Sequence, residues 1–415
     1  MRGPKLHPGW VVVAACSLVM FGTWNAQNGF GVFLPVLSRE FGWSRGAVSV
    51  AASLQLMVGG VIAFVVGAAS DRYGPRFILA LSALLSGTAF LCTSGVNTLW
   101  QFYLLQGLLL GVGMSSIYLV PTTTVSRWFV AQRGLALGIL LACHNLAFIT
   151  GPLLSAFLIN TFGWRTTYRL LGGLVWCIAV PASLFTRFPP GGRASKTKGN
   201  GSVAFAPNVE TRSASRGVTF WRVLADRRVW LLGGSWLLLG FSWMMVTVHL
   251  VSYVKDRGVT LEAASLALTI FGVGTIVGRL VFGVAADKLG TKPTFWFCQV
   301  MQILTLTWLL AGPSLWTLYF LMLWFGMGAA GSDTTVVKAA VEVFGVRAIG
   351  ATMGVMNLGW RCGAALGPLA AGFIYDATGS YLTAFSLASV GLMVSFVFFT
   401  LGMASLRHQA ARQPL

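Results

Sequence analysis

The stretch Gly67-Ala68-Ala69-Ser70-Asp71-Arg72-Tyr73-Gly74-Pro75-Arg76 returns as Gly283-Val284-Ala285-Ala286-Asp287-Lys288-Leu289-Gly290-Thr291-Lys292, 216 residues later. At the same offset Gly42 matches Gly258, Gly134 matches Gly350, Gly138 matches Gly354, Gly151-Pro152 matches Gly367-Pro368 and Gly163 matches Gly379. One match is chance, whereas a set in one register marks a duplicated unit. Each copy of the stretch ends an apolar run, reverses at a glycine and keeps an acid followed by bases. Glycine lets the chain reverse tightly because it carries no Cβ. The charged residues, Asp71, Arg72 and Arg76 with Asp287, Lys288 and Lys292, are expected to bridge neighbouring helix ends and latch one conformation. Plain topology, with bases marking one side of a membrane, is the simpler reading of the same residues.

Composition fixes the class. Of 415 residues 56% are hydrophobic and only 9% charged, and the mean hydropathy of +0.77 lies outside the range of soluble domains. Apolar runs long enough to cross a ~30 Å hydrocarbon core recur along the chain. The fold expected is an all-α membrane protein, twelve transmembrane helices in two pseudo-symmetric six-helix bundles. The predicted spans run roughly 9–35, 45–70, 76–95, 99–126, 134–160, 166–186, 228–253, 261–286, 293–311, 315–338, 349–374 and 380–404. Residues 1–186 form the first bundle, 187–227 a cytoplasmic linker and 228–415 the second bundle. The linker reads as flexible from Pro189-Pro190-Gly191-Gly192 and its Ser/Gly/Lys/Arg tract, with a short amphipathic piece near Phe220-Trp221. The first apolar run, from Trp10 to about Leu34, lacks a cleavage-like end, so no cleavable signal is expected.

The formal charge of +19 is distributed in a way that excludes nucleic-acid binding. Of 29 Lys and Arg, 21 fall in the tails and the loops sharing the N-terminal side. Six flank the opposite loops (Arg39, Arg45, Arg165, Arg169, Lys255, Arg257), and Arg279 and Arg361 remain inside helices. That asymmetry predicts a multi-pass protein of the plasma (inner) membrane with both termini cytoplasmic. The six cysteines, Cys16, Cys92, Cys143, Cys177, Cys298 and Cys362, all lie in apolar runs at spacings that suit neither disulfides nor zinc. No metal or cofactor is expected.

Phe271-Gly272-Val273-Gly274-Thr275-Ile276-Val277-Gly278-Arg279-Leu280-Val281-Phe282-Gly283 places an arginine about 27 Å along its helix, eight residues before Asp287. An intramembrane cation costs several kcal/mol unless water, a partner or an anionic ligand compensates it. Arg279 is therefore expected to hold a substrate carboxylate, for which its planar fork can donate two parallel bonds. The competing reading has it bonded to helix carbonyls or an acidic neighbour.

Several residues join it as candidates. Arg361, near mid-depth of its span, is a second cation for an anionic substrate or a pin for a helix end. Asp333 is the one carboxylate placed well inside a span, where it neutralises an arginine or binds a transported proton. Tyr118, in the middle of the fourth predicted span, needs a hydroxyl partner if buried. Asn28, Asn145 and Asn357 are mid-helix amides suited to lining a path or to bonding across helices. His144 and His249 are possible proton carriers, with satisfied interhelical histidines as the alternative. Gly350-x-x-x-Gly354, Gly359-x-x-x-Gly363-x-x-x-Gly367 and Gly134-x-x-x-Gly138 are expected to let helices approach closely.

The repeated Gly-x-x-x-Asp-Arg/Lys-x-Gly-x-Arg/Lys turn resembles the loop 2–3 signature of the major facilitator superfamily, with the likeness covering the whole chain. Within it, Trp128-Phe129-Val130-Ala131-Gln132-Arg133-Gly134-Leu135-Ala136-Leu137-Gly138 and Asn28-Gly29-Phe30-Gly31-Val32-Phe33 resemble segments of the monocarboxylate and oxalate:formate porters. Arg279 falls where that family carries its substrate arginine, and Tyr118 where a helix 4 side chain faces the substrate. Animal monocarboxylate carriers have a lysine that aligns with Asn28, an aspartate that aligns with Thr275 and an acid before the first helix. All three are absent here, so their proton relay does not transfer unchanged.

The resemblance and the excess of cation over anion imply a secondary active transporter of small monocarboxylates such as L-lactate or pyruvate. It would work by alternating access as a monomer in the lipid bilayer, with a proton as coupling ion. Exchange of dicarboxylates, or of oxalate for formate, stays open if both arginines grip one substrate. From another class, a membrane carboxylate sensor without transport also stays open, although a linker of about forty residues is short for a folded output domain. No zinc, nucleophile or phosphate-loop pattern suggests an enzyme.

Overall fold

The computed structural model describes residues 8–129, 132–189 and 224–404, with the side chains of 64 and 346–351 outside that set. Most of the predicted linker, residues 190–223, lies outside the described residues. The described residues form helices and contain no strand. In order these are α1 (Pro8–Gln27), α2 (Phe30–Phe41), α3 (Arg45–Tyr73), α4 (Pro75–Thr93), α5 (Leu99–Phe102), a π-helical stretch (Tyr103–Leu109) and α6 (Leu110–Met114). Then follow α7 (Leu119–Trp128), α8 (Arg133–Ser183), α9 (Arg227–Lys255), α10 (Leu261–Lys288), α11 (Thr291–Leu310), α12 (Leu315–Thr378) and α13 (Leu382–Ala404). Non-helical backbone at Gly163 (φ 79°, ψ 161°) divides α8, and at Gly345 (φ 69°, ψ 169°) divides α12. With those bends the elements follow the twelve predicted spans in order. Among the described residues nine helices are long and apolar enough to cross a membrane.

The duplication is written into the backbone. Gly42 and Gly258 (φ 67° and 78°), Gly74 and Gly290 (88° and 93°), and Gly163 and Gly379 (79° and 68°) share positive φ at the repeat offset. Gly74 and Gly290 also agree in ψ, 157° and 156°, a region open essentially to glycine alone. Each then caps the start of the next helix, α4 or α11. The repeated turn is thus one conformation used twice.

Two predicted spans are interrupted. The first breaks at Asn28-Gly29 between α1 and α2, so Asn28 is a turn residue rather than a mid-helix amide. The fourth breaks at Ser115–Tyr118, which puts Tyr118 in front of α7 and not in mid-helix. Pro121 explains this second break. It has no N–H for the carbonyl of Ile117, and its ring disfavours helix in the preceding turn.

Contacts divide the chain into two compact units, residues 1–201 with 254–269, and residues 202–253 with 270–415. In lipid, helix association relies on close packing and interhelical polar bonds. The first unit carries such bonds from Gln27 to Gln55 (2.6 Å), Gln106 to Thr93 (3.0 Å) and Ser116 to Ser82 (2.6 Å). Arg45 holds Asp256 there through two parallel bonds of 2.7 and 2.5 Å, and Asn160 donates to Glu262.

In the second unit, Gln299 bonds Ser395 (2.9 Å), and Phe295 stacks on Phe399 at 3.6 Å. Glycines there bring backbones together. A Cβ at Gly363 or Gly367 would collide with the carbonyl oxygens of Leu237 or Phe241 on α9, while one at Gly359 would crowd Gly233. By contrast Gly134, Gly138 and Gly354 face open space, so the close approach expected of them is a correction to the sequence reading. Their spacing suits a contact stripe, but no neighbouring atom lies within reach of that face among the described residues.

Candidate functional site

Arg279 lies on α10, within the second unit. A Cβ at Gly274 or Gly278 would collide with the carbonyl oxygens of Leu323 or Met327, and one at Gly326 with that of Phe271. Over this stretch α10 and α12 therefore run backbone against backbone, which small residues permit. The result is that Asp333 of α12 reaches Arg279, with Nη2 and Oδ2 3.3 Å apart. From α9, the buried Trp236 donates its indole N–H to the other oxygen, Oδ1, at 2.8 Å. Next to Asp333, Ser332 accepts a bond from Gln302 of α11 at 2.9 Å, which fixes this part of α12. Four helices thus set one carboxylate beside one guanidinium.

The geometry is that of a loose pair. Charge-assisted bonds to carboxylates usually measure about 2.7–2.9 Å and often use both oxygens. Here one nitrogen makes one long contact, and the buried Arg279 Nε has no acceptor among the described residues. The arginine side chain is 38% exposed and that of Asp333 24%. Arg279 is neutralised but its donors are not used up. Thr275, where the resembling carriers have an acid, bonds the Gly272 carbonyl of its own helix at 2.7 Å and carries no charge. The negative charge comes from α12 instead.

The other candidates fall into separate places. Arg361 donates from Nε to Asn357 Oδ1 one turn earlier on α12, at 3.3 Å, and no carboxylate pairs with it among the described residues. In the first unit, His144 of α8 meets the ring edges of Trp24 (4.8 Å) and Tyr118 (5.8 Å). Trp24 Nε1 and Asn28 Nδ2 are buried there without an acceptor among the described residues, and Asn145 is half-buried beside His144. His249 is fully buried on α9, its Nδ1 3.0 Å from the Tyr381 hydroxyl and its Nε2 3.0 Å from the Pro368 carbonyl. A carbonyl can only accept, so Nε2 carries the proton and Nδ1 accepts from the tyrosine. That is the arrangement of an interhelical histidine.

The acids of the repeated turns pair with bases on other helices and not with the bases that follow them in sequence. Asp71 pairs with Arg127 at the end of α7 (2.6 Å), and Asp287 with Lys338 of α12 (2.5 Å), which also donates to the Ala286 carbonyl (2.7 Å). Arg72 lies over the Tyr73 ring (5.3 Å) and Lys292 over Trp296 (5.0 Å), while Arg76 and Lys288 are exposed. Reading the sequence missed Trp236, Trp24, Arg127 and Lys338. For the two bases a signal existed, since an acid at one helix end asks for a base at an adjoining one. For the tryptophans none did, because nothing distinguishes an indole turned towards a carboxylate from one turned towards lipid. Among the described residues no cluster of His, Cys, Asp and Glu could hold a metal ion.

The family model of the Major Facilitator Superfamily matches residues 13–264 and 236–414. The uncharacterized MFS-type transporter YcxA of Bacillus subtilis is 27% identical over 396 residues, spanning 92% of this chain and 93% of that protein. Monocarboxylate transporter 11 of Homo sapiens is 26% identical over 406 residues, 95% of this chain and 83% of that one. Monocarboxylate transporter 2 of Mesocricetus auratus is 23% identical over 423 residues, 97% and 86% of the two chains. Among solved structures, a bacterial homolog of the human lysosomal transporter Spinster superposes with a TM-score of 0.73 at 14% identity. It covers 97% of this chain and 96% of that one, a likeness of fold. This chain belongs to the Major Facilitator Superfamily, as a multi-pass membrane transporter that resembles the monocarboxylate family and not as an enzyme.

Proposed function

We propose that this transporter moves small monocarboxylates of the lactate and pyruvate type, together with a proton, by alternating access as a monomer. The observation that carries the reading is the unused capacity of Arg279, a charged fork whose side chain is 38% exposed and makes one long contact to Asp333. A small carboxylate offers two oxygens at the spacing the fork requires. The relatives named monocarboxylate transporters support the substrate class. Asp333, close enough to feel the charge on Arg279, is the candidate proton carrier. The membrane is the plasma (inner) membrane, with both termini cytoplasmic, on the charge asymmetry of the loops.

Exchange of dicarboxylates is the second reading, favoured by Arg361, a half-buried cation bonded to an amide rather than to an acid. Purified protein in vesicles separates the two. L-lactate uptake driven by an imposed pH gradient, with no anion inside, is the result expected. Uptake that requires internal oxalate or formate replaces symport by exchange, and retained binding without flux in either regime refutes transport of these acids.

A further inference from the structure

We infer that Trp236 is a positioning residue that holds Asp333 off Arg279 and thereby sets how strongly the site takes an incoming carboxylate. The inference rests on the reading of Arg279 as the carboxylate site. Two donors share one carboxylate, and their order is inverted. The neutral indole has the short bond, 2.8 Å to Oδ1, while the guanidinium has the long one, 3.3 Å to Oδ2. An unrestrained aspartate beside an arginine would present both oxygens to the fork. Trp236 prevents this because it holds the oxygen that a two-point pair would need.

The anchor is itself fixed. Trp236 is 5% exposed, and α9 is pressed against α12 at Gly359, Gly363 and Gly367. On α12, Ser332 is tied to Gln302 of α11. Neither end of the Trp236–Asp333 bond is on a mobile loop, so the carboxylate stays where the indole puts it. The empty site then holds a counter-charge that lowers the cost of a cation in the membrane. It does so through one guanidinium nitrogen, which leaves other donors of the 38% exposed side chain for a ligand.

Trp236→Phe removes the N–H together with one ring of a buried indole, and the Asp333→Asn background separates the lost bond from the lost packing. Asp333 is then able to turn both oxygens to Arg279, and a ligand must displace two contacts instead of one. One charge-assisted hydrogen bond corresponds to a weakening of about tenfold or more in Kd. In an Asp333→Asn background no internal carboxylate competes, so the same substitution adds a change of less than about twofold, following the logic of a double-mutant cycle. Asp333→Asn alone, with the indole in place, tightens binding.

The experiment is calorimetric titration of the purified full chain with L-lactate, pyruvate, formate and oxalate. It compares wild type, Trp236→Phe, Asp333→Asn, the double variant and Arg279→Gln. Weakening by Trp236→Phe that disappears in the Asp333→Asn background is the result expected. An equal loss in both backgrounds means a packing role and overturns the inference, as does wild-type affinity in Trp236→Phe. If Trp236→Phe does not fold, Asp333→Asn decides alone, and failure to tighten binding overturns the proposal. Loss of binding in Arg279→Gln with no effect of Trp236→Phe sinks this inference only. Undiminished binding in Arg279→Gln, or no binding of any of the four acids to wild type, sinks the Arg279 reading as well.

Discussion

Arg279→Lys keeps the charge on α10 and removes the fork. In the wild type the Arg279 side chain is 38% exposed and Nη2 makes one 3.3 Å contact, so a ligand carboxylate can be met at two points of the fork. An ammonium meets it as a point charge. The difference is about one charge-assisted hydrogen bond, ~1.5–3 kcal/mol, or roughly 12- to 150-fold in Kd. Stability should change little, because the substituted ammonium would still neutralise Asp333. Arg279→Gln behaves differently, leaving Asp333 with the indole as its one remaining polar partner among the described residues. Removing one member of a fully buried pair costs about 3–5 kcal/mol. With a quarter of the Asp333 side chain exposed, a loss of about 1–3 kcal/mol is expected here. Adding Asp333→Asn should recover that stability and leave binding absent. Calorimetry gives the Kd values, and thermal unfolding in detergent gives the stabilities. Binding to Arg279→Lys within about twofold of wild type would refute the two-point reading.

Gly278→Ala should lower stability by about 1–3 kcal/mol in thermal unfolding, since the new methyl meets the Met327 carbonyl. Gly138→Ala, facing open space, should instead be neutral or gain up to about 1 kcal/mol, and equal effects at the two sites would undo the packing account. In the first unit, a double-mutant cycle on Arg45 and Asp256 should give a coupling of about 1 kcal/mol that shrinks in high salt, and zero coupling would show the two-bond pair to be idle.

The fold was legible because the signals that set it are local and repeated. Gly74 and Gly290 stand at one offset in the sequence, and their backbone conformations agree to within a few degrees. The spans were legible from apolar length alone. The break before α7 has a sign as well, Pro121, but the apolar run continues through it and masks the proline. The glycine stripes were half legible. Spacing shows that a helix can be approached, yet only the partner decides whether it is, and Gly363 has one where Gly138 does not. The site divides in the same way. A charge in oil is conspicuous, so Arg279 and Asp333 stood out. Their meeting depends on Gly274, Gly278 and Gly326 bringing two helices together, and Trp236 reaches Asp333 from a third helix, 97 residues away in sequence. No pattern within one helix encodes that.

A transporter must hold its substrate and also return empty, and the Arg279–Asp333 geometry bears on both demands. An arginine with no counter-ion would make the empty site a bare cation in the membrane, at several kcal/mol and with a charge to carry through the potential. An arginine locked in a two-point pair would travel cheaply but bind weakly. One long contact, with the second oxygen of Asp333 engaged by a neutral donor, lies between these limits. On the proposed function the charge count then stays constant. In the empty site the arginine and the aspartate cancel. In the loaded site the substrate carboxylate cancels the arginine, and a proton on Asp333 cancels the charge that the ligand displaced. Neither form moves net charge against a potential worth about 2.3 kcal/mol per charge per 100 mV. A proton therefore accompanies a monocarboxylate in this account because the site contains one acid of its own, supplied from α12 where the resembling carriers supply theirs from the arginine's own helix.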